Sequence, residues 1–174
     1  FILKTVGRNK KVGFGGCMTA SEMNLPKLLS KNKNEIITHL PQMNKKERFE
    51  TWFRAQRADF YFASPQAITR NGEMIFIDGT GNRAAAVIYG PGKVLLPVGR
   101  NKIVRDLDEG YWRMRNISAI PNNIRLNKNN PCVETGRCVD CNSPERICNV
   151  LTVLLKKPKF TDYMVVLINE ELGY

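Results

Sequence analysis

Four cysteines crowd into seventeen residues near the end of the chain, with the spacing C-x5-C-x2-C-x6-C at Cys132, Cys138, Cys141 and Cys148. Thiolates this close in sequence can converge on one metal centre, and both a tetrahedral zinc ion and an iron–sulfur cluster accept four cysteines. The spacing matches neither a zinc ribbon nor a bacterial ferredoxin, so zinc and a cluster both stay open. Two disulfides or four reduced thiols are the alternatives. No secretory signal is visible, which predicts a cytoplasmic, reducing compartment and favours metal over disulfides.

A glycine-rich loop near the start of the chain is a candidate for anion binding. Gly15 and Gly16 follow a predicted strand, and Thr19 stands where the next helix begins. Glycines let the backbone approach a ligand closely, and a helix N-terminus offers free N–H groups to an anion. If the loop binds nothing, it is a tight turn capped by Thr19.

Two further loops of this type follow later predicted strands. The loop after residues 73–78 combines a carboxylate, glycines, a hydroxyl and an amide with a guanidinium that can clamp a carboxylate or phosphate. If that loop binds nothing, it is a capped turn with a solvated arginine. The loop after residues 93–98 adds the basic residues Arg100 and Lys102. The candidate ligand-binding residues of the earlier of these two loops are Asp78, Gly79, Thr80, Gly81, Asn82 and Arg83.

All three loops are expected to line one crevice, because the carboxyl ends of parallel strands meet at one edge of a sheet. The chain carries 27 basic and 16 acidic residues, a net charge of +11, which invites an anionic partner. We predict a small ligand: a carboxylate, a phosphate or a CoA-like molecule. Nucleic acid is a weak alternative that depends on charge alone, because aromatic residues are not interleaved with the basic ones. The apolar runs are too short to span a bilayer.

Strands that alternate with helices must position these loops. The pattern predicts strands at 12–14, 35–40, 59–63, 73–78, 93–98, 150–155 and 164–168, and helices at 20–30, 44–58, 84–89 and 103–117. This alternation predicts an α/β fold with a mostly parallel sheet and helices on both faces. The Asn71-Gly72 turn signals a hairpin, and that hairpin and the last two strands, joined by a short turn, make the sheet mixed. Residues 128–148 read as a cysteine-rich insertion in a single domain that covers 1–174.

The run from residue 63 to residue 104 resembles a known family, the LUD domain, also called the LutC/YkgG or DUF162 family of lactate utilization. The resemblance is carried by residues 77–83, which read IDGTGNR, and residues 98–104, which read VGRNKIV. The glycine loop, the cysteine segment and the closing residues 169–174 resemble a subgroup of small anaerobic-bacterial members. Those members carry an additional N-terminal helical segment, so the resemblance implies that a segment precedes Phe1.

The resemblance implies a NagB/RpiA/CoA-transferase-like fold and a role in oxidising L-lactate to pyruvate within an iron–sulfur complex. Other lactate-oxidation subunits are then the implied partners, and the chain is the ligand-binding or redox subunit. Where sugar-phosphate isomerases of that superfamily carry an acidic residue, this chain reads Ala63-Ser64-Pro65. Ser64 therefore joins the candidate ligand-binding residues, and no catalytic residue is identified. The alternative is a stand-alone enzyme acting on a sugar phosphate or CoA ester, with a structural metal or disulfides.

Overall fold

The computed structural model describes Phe1–Tyr174 and contains nine strands and eight α-helices. The strands are β1 (Lys11–Phe14), β2 (Glu35–Thr38), β3 (Phe60–Phe62), β4 (Ala67–Thr69), β5 (Met74–Asp78), β6 (Lys93–Gly99), β7 (Ile103–Val104), β8 (Val150–Leu154) and β9 (Asp162–Ile168). The helices are α1 (Ile2–Val6), α2 (Met18–Glu22), α3 (Leu25–Lys31), α4 (Lys45–Gln56), α5 (Asn82–Ile88), α6 (Leu107–Arg113), α7 (Ala119–Arg125) and α8 (Pro131–Thr135).

The strands form two sheets. The larger is entirely parallel, in the order β2-β1-β3-β6-β9, and the smaller has the order β7-β4-β5-β8. In the smaller sheet β5 pairs antiparallel with both neighbours, and the β4–β5 hairpin turns at Asn71-Gly72 as predicted. The α/β class with a mostly parallel sheet is therefore confirmed.

The expectation that the last two strands lie side by side is wrong. β8 pairs antiparallel with β5 in the smaller sheet, whereas β9 pairs parallel with β6 in the larger one. The reason lies in β6, which is almost completely buried along its seven residues. Unpaired backbone groups are costly in a core, so the other edge of β6 needs a full-length partner, and β9 supplies it over seven residues.

Apolar side chains of the larger sheet point alternately to two cores. Tyr61 and Leu96 belong to a cluster that also contains α4 and α5 residues and the inner face of the smaller sheet. Phe62 and Leu95, their immediate neighbours in the chain, belong to a second cluster with α1, α2 and α3. Side chains on a strand alternate between faces, so this sheet is covered by helices on both sides.

Helix α4 begins with a capping box, in which the Asn44 side chain accepts from the Glu47 N–H and the Glu47 carboxylate accepts from the Asn44 N–H. Its existence agrees with the sequence, which also places Phe49, Trp52 and Phe53 on one face of the helix. Phe49 and Phe53 are 56% and 50% exposed, whereas the small Ala55 is fully buried against the larger sheet. Helix α4 lies so close to the sheet that the contact has room for the alanine side chain but not for the aromatic rings.

The helix predicted over 103–117 begins four residues later. Ile103 and Val104 form β7, a parallel partner of β4, and the Asp106 side chain caps α6 by accepting from the Glu109 N–H. Helical backbone then continues through a π-helical stretch at Met114–Ser118 into α7. The two β-branched residues favour the strand, and the cap after them sets the helix start.

The helix predicted over 20–30 is two helices, α2 and α3, and Pro26 lies at the first turn of α3, the position that proline tolerates. No helix combines the length and apolar character that a membrane-spanning helix requires.

Candidate functional site

A cleft of about 360 Å³ opens where the loops after β1, β5 and β6 meet. The loops touch one another directly, since the Asn82 side-chain amide donates to the Gly15 carbonyl at 3.2 Å. Three predicted residues, Thr19, Gly81 and Arg100, do not line the cleft. The predicted residues that do line it are Gly15, Gly16, Ser64, Asp78, Gly79, Thr80, Asn82, Arg83 and Lys102.

Lys102 occupies the most unusual position in this cleft. Its side chain is buried, with the residue only 3% exposed, and Nζ donates to Thr19 Oγ1 at 2.8 Å and to Ser64 Oγ at 2.9 Å. No carboxylate forms an ion pair with it. Burial lowers the pKa of Lys102 to about 8. The two hydroxyls use two of the three ammonium donors, which leaves one for a ligand.

Thr19 and Arg100 therefore have roles different from direct ligand contact. Thr19 is buried and positions Lys102, rather than capping α2 with its side chain. Arg100 is exposed and lies outside the cleft, with its Nη2 atom 3.5 Å from Glu171 Oε1.

Arg83 lines the cleft but its guanidinium is already engaged. Nε lies 2.6 Å from Asp78 Oδ1, and Nη2 donates to the Ile77 carbonyl at 2.6 Å. The other carboxylate oxygen of Asp78 accepts from the Ala84 N–H at 2.7 Å. Asp78 thus occupies the start of α5, where the sequence favoured a ligand anion. The Asp78–Arg83 pair shapes the loop and adds little net charge to the cleft.

Several cleft residues escape prediction from sequence because they come from elements outside the three loops. The helices α4 and α7, the stretch after α7 and the end of the chain each contribute at least one. Arg48 donates to the Met43 and Pro41 carbonyls, and Lys128 pairs with Glu145 at 2.8 Å. No local motif marks these positions. The residues found only from the structure include His39, Arg48, Trp52, Arg125, Lys128 and Tyr174.

The charge of the cleft is strongly positive. Five of its lining side chains are cationic, and one, Asp78, is a carboxylate. The Tyr174 hydroxyl lies buried at the end of the chain, with Arg125 as its charged neighbour. The segment that carries it is held by a hydrogen bond from the Gly173 N–H to Glu22 at 2.6 Å. The cationic residues are Arg48, Arg83, Lys102, Arg125 and Lys128.

An aromatic pair forms another part of the wall. The Trp52 indole N–H donates to His39 Nδ1 at 3.2 Å, and the two rings meet edge to face with their centroids 5.4 Å apart. Burial lowers the pKa of His39, with the charges of Arg48 and Arg125 acting in the same direction. A neutral imidazole that accepts from Trp52 is consistent with both effects.

The four clustered cysteines line a second, smaller cavity of about 30 Å³. Cys17 lies elsewhere, in the apolar core, and all five thiols are free. No group of three or more His, Cys, Asp or Glu side chains is arranged to hold a metal ion. Burial, partly offset by Arg146, raises the pKa of the Cys148 thiol to about 11, and the neighbouring thiols add to the rise.

Arginines border the cysteine cavity and hold its backbone. Arg115 and Arg146 both line it. Arg146 donates to the carbonyls of Cys141 and Cys148 and pairs with Asp140 at 2.9 Å. The Arg146 side chain thus holds together residues 136–149, which form no strand and no helix.

Cleft and cysteine cavity share a wall. Ala119, Ile147 and Cys148 line both of them, whereas the other three cysteines line the smaller cavity alone.

Comparison with known proteins gives one family match. The model of the LUD domain matches residues 1–168. A search of the curated proteins finds no match. A crystal structure of a DUF162 family protein from Deinococcus radiodurans is 14% identical, covering 95% of this chain and 91% of that chain, with a TM-score of 0.39. That similarity is too low to support an inference, so the family match stands alone.

Proposed function

Because the chain belongs to the LUD domain family, we propose that it is a ligand-binding protein of lactate utilization. The cleft holds a small anion, and L-lactate and pyruvate are the ligands that the family resemblance implies. The Lys102 ammonium is the group that receives the negative charge.

The buried ammonium of Lys102 carries this proposal. An ionised group taken out of water is costly unless a counter-charge or several hydrogen bonds compensate for it. Two hydroxyls supply part of that compensation, and no carboxylate of the chain supplies the rest. An anion at the third ammonium donor completes it, so the site is built for a ligand that brings a negative charge.

The other cationic side chains of the cleft also favour the binding of an anion. Arg48 and Arg125 are cations of the wall that form no ion pair, and both attract an anion at longer range. These groups would orient a carboxylate, while the hydroxyls of Thr19 and Ser64 keep the ammonium in place.

Calorimetry with Lys102→Met tests the proposal. The wild type is titrated with L-lactate, pyruvate, phosphate and coenzyme A. The variant should lose about 1.5–3 kcal/mol of affinity for the anion that binds, the value of a hydrogen bond to a charged group. Arg100→Met is the matched control, because Arg100 is exposed and lies outside the cleft.

Two results would reject this assignment. One is a wild type that binds none of the four ligands, and the other is a Lys102→Met variant that binds as tightly as the wild type. A clear preference for phosphate or coenzyme A over lactate and pyruvate would favour the stand-alone enzyme acting on a sugar phosphate or CoA ester.

We further infer that the four clustered cysteines hold an iron–sulfur cluster. All four thiols surround one cavity, and the cations Arg115 and Arg146 border it, which suits the negative charge of a four-thiolate centre. A zinc ion held by the same four thiolates is the alternative, since both centres accept four cysteines. A cluster spreads its thiolates over several metal atoms, and when bound it would supply one-electron transfer.

Metal analysis of protein purified without oxygen tests the cysteine centre. Iron and acid-labile sulfide in equal amounts are expected, and both should be lost in Cys138→Ser. Cys17→Ser should keep them, because Cys17 lies in the core away from the cavity. Stoichiometric zinc would show that the centre is mononuclear, and metal-free protein would reject the centre itself.

A further inference from the structure

We propose that ligand binding in the cleft and the chemistry of the cysteine centre are linked through Cys148, the one clustered cysteine that lines both cavities. This inference rests on the proposed function, since it needs an anion in the cleft. It assigns to Cys148 a role that the other three clustered cysteines do not share.

The shared wall is the first observation. Cys148 lines the large cleft and the small cavity, together with its neighbour Ile147. Cys132, Cys138 and Cys141 line the small cavity only. A ligand in the cleft therefore lies beside one residue of the cysteine group, and that residue also lines the cavity of the other three.

A direct backbone connection between the two sites is the second observation. The Asn149 N–H donates to the Asp78 carbonyl at 3.0 Å, and the Asn149 side-chain amide donates to the Gly79 carbonyl at 3.1 Å. Asp78 and Gly79 belong to the cleft loop that Arg83 closes. The residue after Cys148 is thus bonded to the loop that a ligand contacts.

The strand pairing that follows extends this connection. Val150 begins β8 and stands opposite Asp78 of β5 in the antiparallel ladder. A Cβ on Gly81 would lie 3.6 Å from the Val150 side chain, so the tip of the loop also packs on this strand. A change in the backbone of the loop would therefore strain the contacts that hold the segment after Cys148.

The cleft loop at Asp78 and Gly79 and the backbone at Cys148 should therefore respond together to binding at either site. An anion that orders the loop at Asp78 and Gly79 restricts the backbone at Cys148, and a ligand that extends along the cleft shields the thiol itself. Conversely, a metal that fixes Cys148 fixes one wall of the cleft. Linkage requires that each site change the affinity of the other by the same factor.

Alkylation of the metal-free protein tests the inference without a cofactor. Cys138, Cys141 and Cys148 are all partly exposed free thiols, so they serve as internal controls for one another. The protein is treated with iodoacetamide in the absence and presence of saturating pyruvate and, separately, inorganic phosphate, and the labelled peptides are quantified by mass spectrometry. The bound anion should slow the labelling of Cys148 at least threefold, with little change at Cys138 and Cys141.

Variants separate this inference from the proposed function. In Lys102→Met neither anion should protect Cys148. In Asn149→Ala the anion should still bind by calorimetry, but protection of Cys148 should fall, because the side-chain hydrogen bonds to the Gly79 and Arg146 carbonyls are lost. If none of L-lactate, pyruvate, phosphate and coenzyme A binds by calorimetry, the proposed function is wrong. If an anion binds and Cys148 is labelled at an unchanged rate, or all three thiols are protected equally, the link through Cys148 is wrong.

Discussion

Burial governs the chemistry of Lys102. Removal of the ammonium from water, together with the charges of Arg113 and Arg83, lowers its pKa to about 8. Cys17 and Glu22 act in the opposite direction but do not restore the ordinary value. An unfolded chain keeps that ordinary value, so the energetic cost of the buried charge is present below about pH 8 and disappears as the pH rises above it.

Anion affinity should therefore depend on pH in a defined direction. Binding should be strongest below about pH 8, where Lys102 is an ammonium, and weaken as the pH rises through that value. A bound anion raises the pKa again, so binding near this pH should take up a proton. Calorimetry in two buffers of different ionisation enthalpy measures that uptake.

The Lys102→Met variant supplies the control for this pH effect. Its residual binding should show no step near pH 8, and a step that persists would assign the titration to another group. An affinity of the wild type that stays constant across this range would contradict the role of the ammonium.

The cysteine segment depends on single side chains more than on regular structure. Between α8 and β8 the backbone forms no helix or strand, and Arg146 bonds to two of its carbonyls. Few apolar side chains pack there, so the segment has little other stabilisation. Such segments open locally at a low free energy, well below that of global unfolding.

Arg146→Met should loosen this segment while leaving the sheets intact. Amide hydrogen exchange should accelerate at residues 136–149, because the Cys141 and Cys148 carbonyls lose their donors. Arg137→Met is the control, because Arg137 is exposed in the same segment and forms no side-chain hydrogen bond or ion pair. Equal exchange in both variants would mean that Arg146 does not hold the segment.

Close packing of helix α4 on the larger sheet places the cleft residues Arg48 and Trp52 opposite the loops. At the centre of that contact a Cβ on Gly13 would lie 2.5 Å from the Ala55 carbonyl oxygen. Only glycine allows this distance between helix and strand. The position of one side of the cleft is thus coupled to the packing of the whole molecule.

Gly13→Ala should destabilise the protein by about 1–3 kcal/mol, the usual effect of forcing extra volume into a packed core. Denaturant unfolding measures the change. Gly79→Ala is the matched control for stability, because its added Cβ would meet Ile147 at an ordinary 3.5 Å and its backbone is not left-handed. An unchanged free energy of unfolding in Gly13→Ala would show that α4 and the sheet can move apart without loss of stability.

Local signals in the sequence were sufficient for most elements. Alternating apolar strands and capped helices predicted the α/β class, and Asn71-Gly72 predicted the β4–β5 hairpin. The glycine loops and Lys102 were identified because strand ends and basic residues coincide within a few positions. These features depend on turn chemistry and hydrophobic period, which act between residues close in the chain.

Tertiary structure alone decided which distant groups meet. β8 pairs with β5 and β9 pairs with β6, because those buried strands each have an edge that needs a partner. No local sequence pattern indicates which edge that is. Arg48 and Arg125 line the cleft because α4 and α7 pack beside it. Cys148 lines both cavities, and the next residue, Asn149, bonds to the Asp78 loop. Burial and strand pairing act between residues far apart in the chain, so the charge of the site and its connection to the cysteines appear only once the chain is folded.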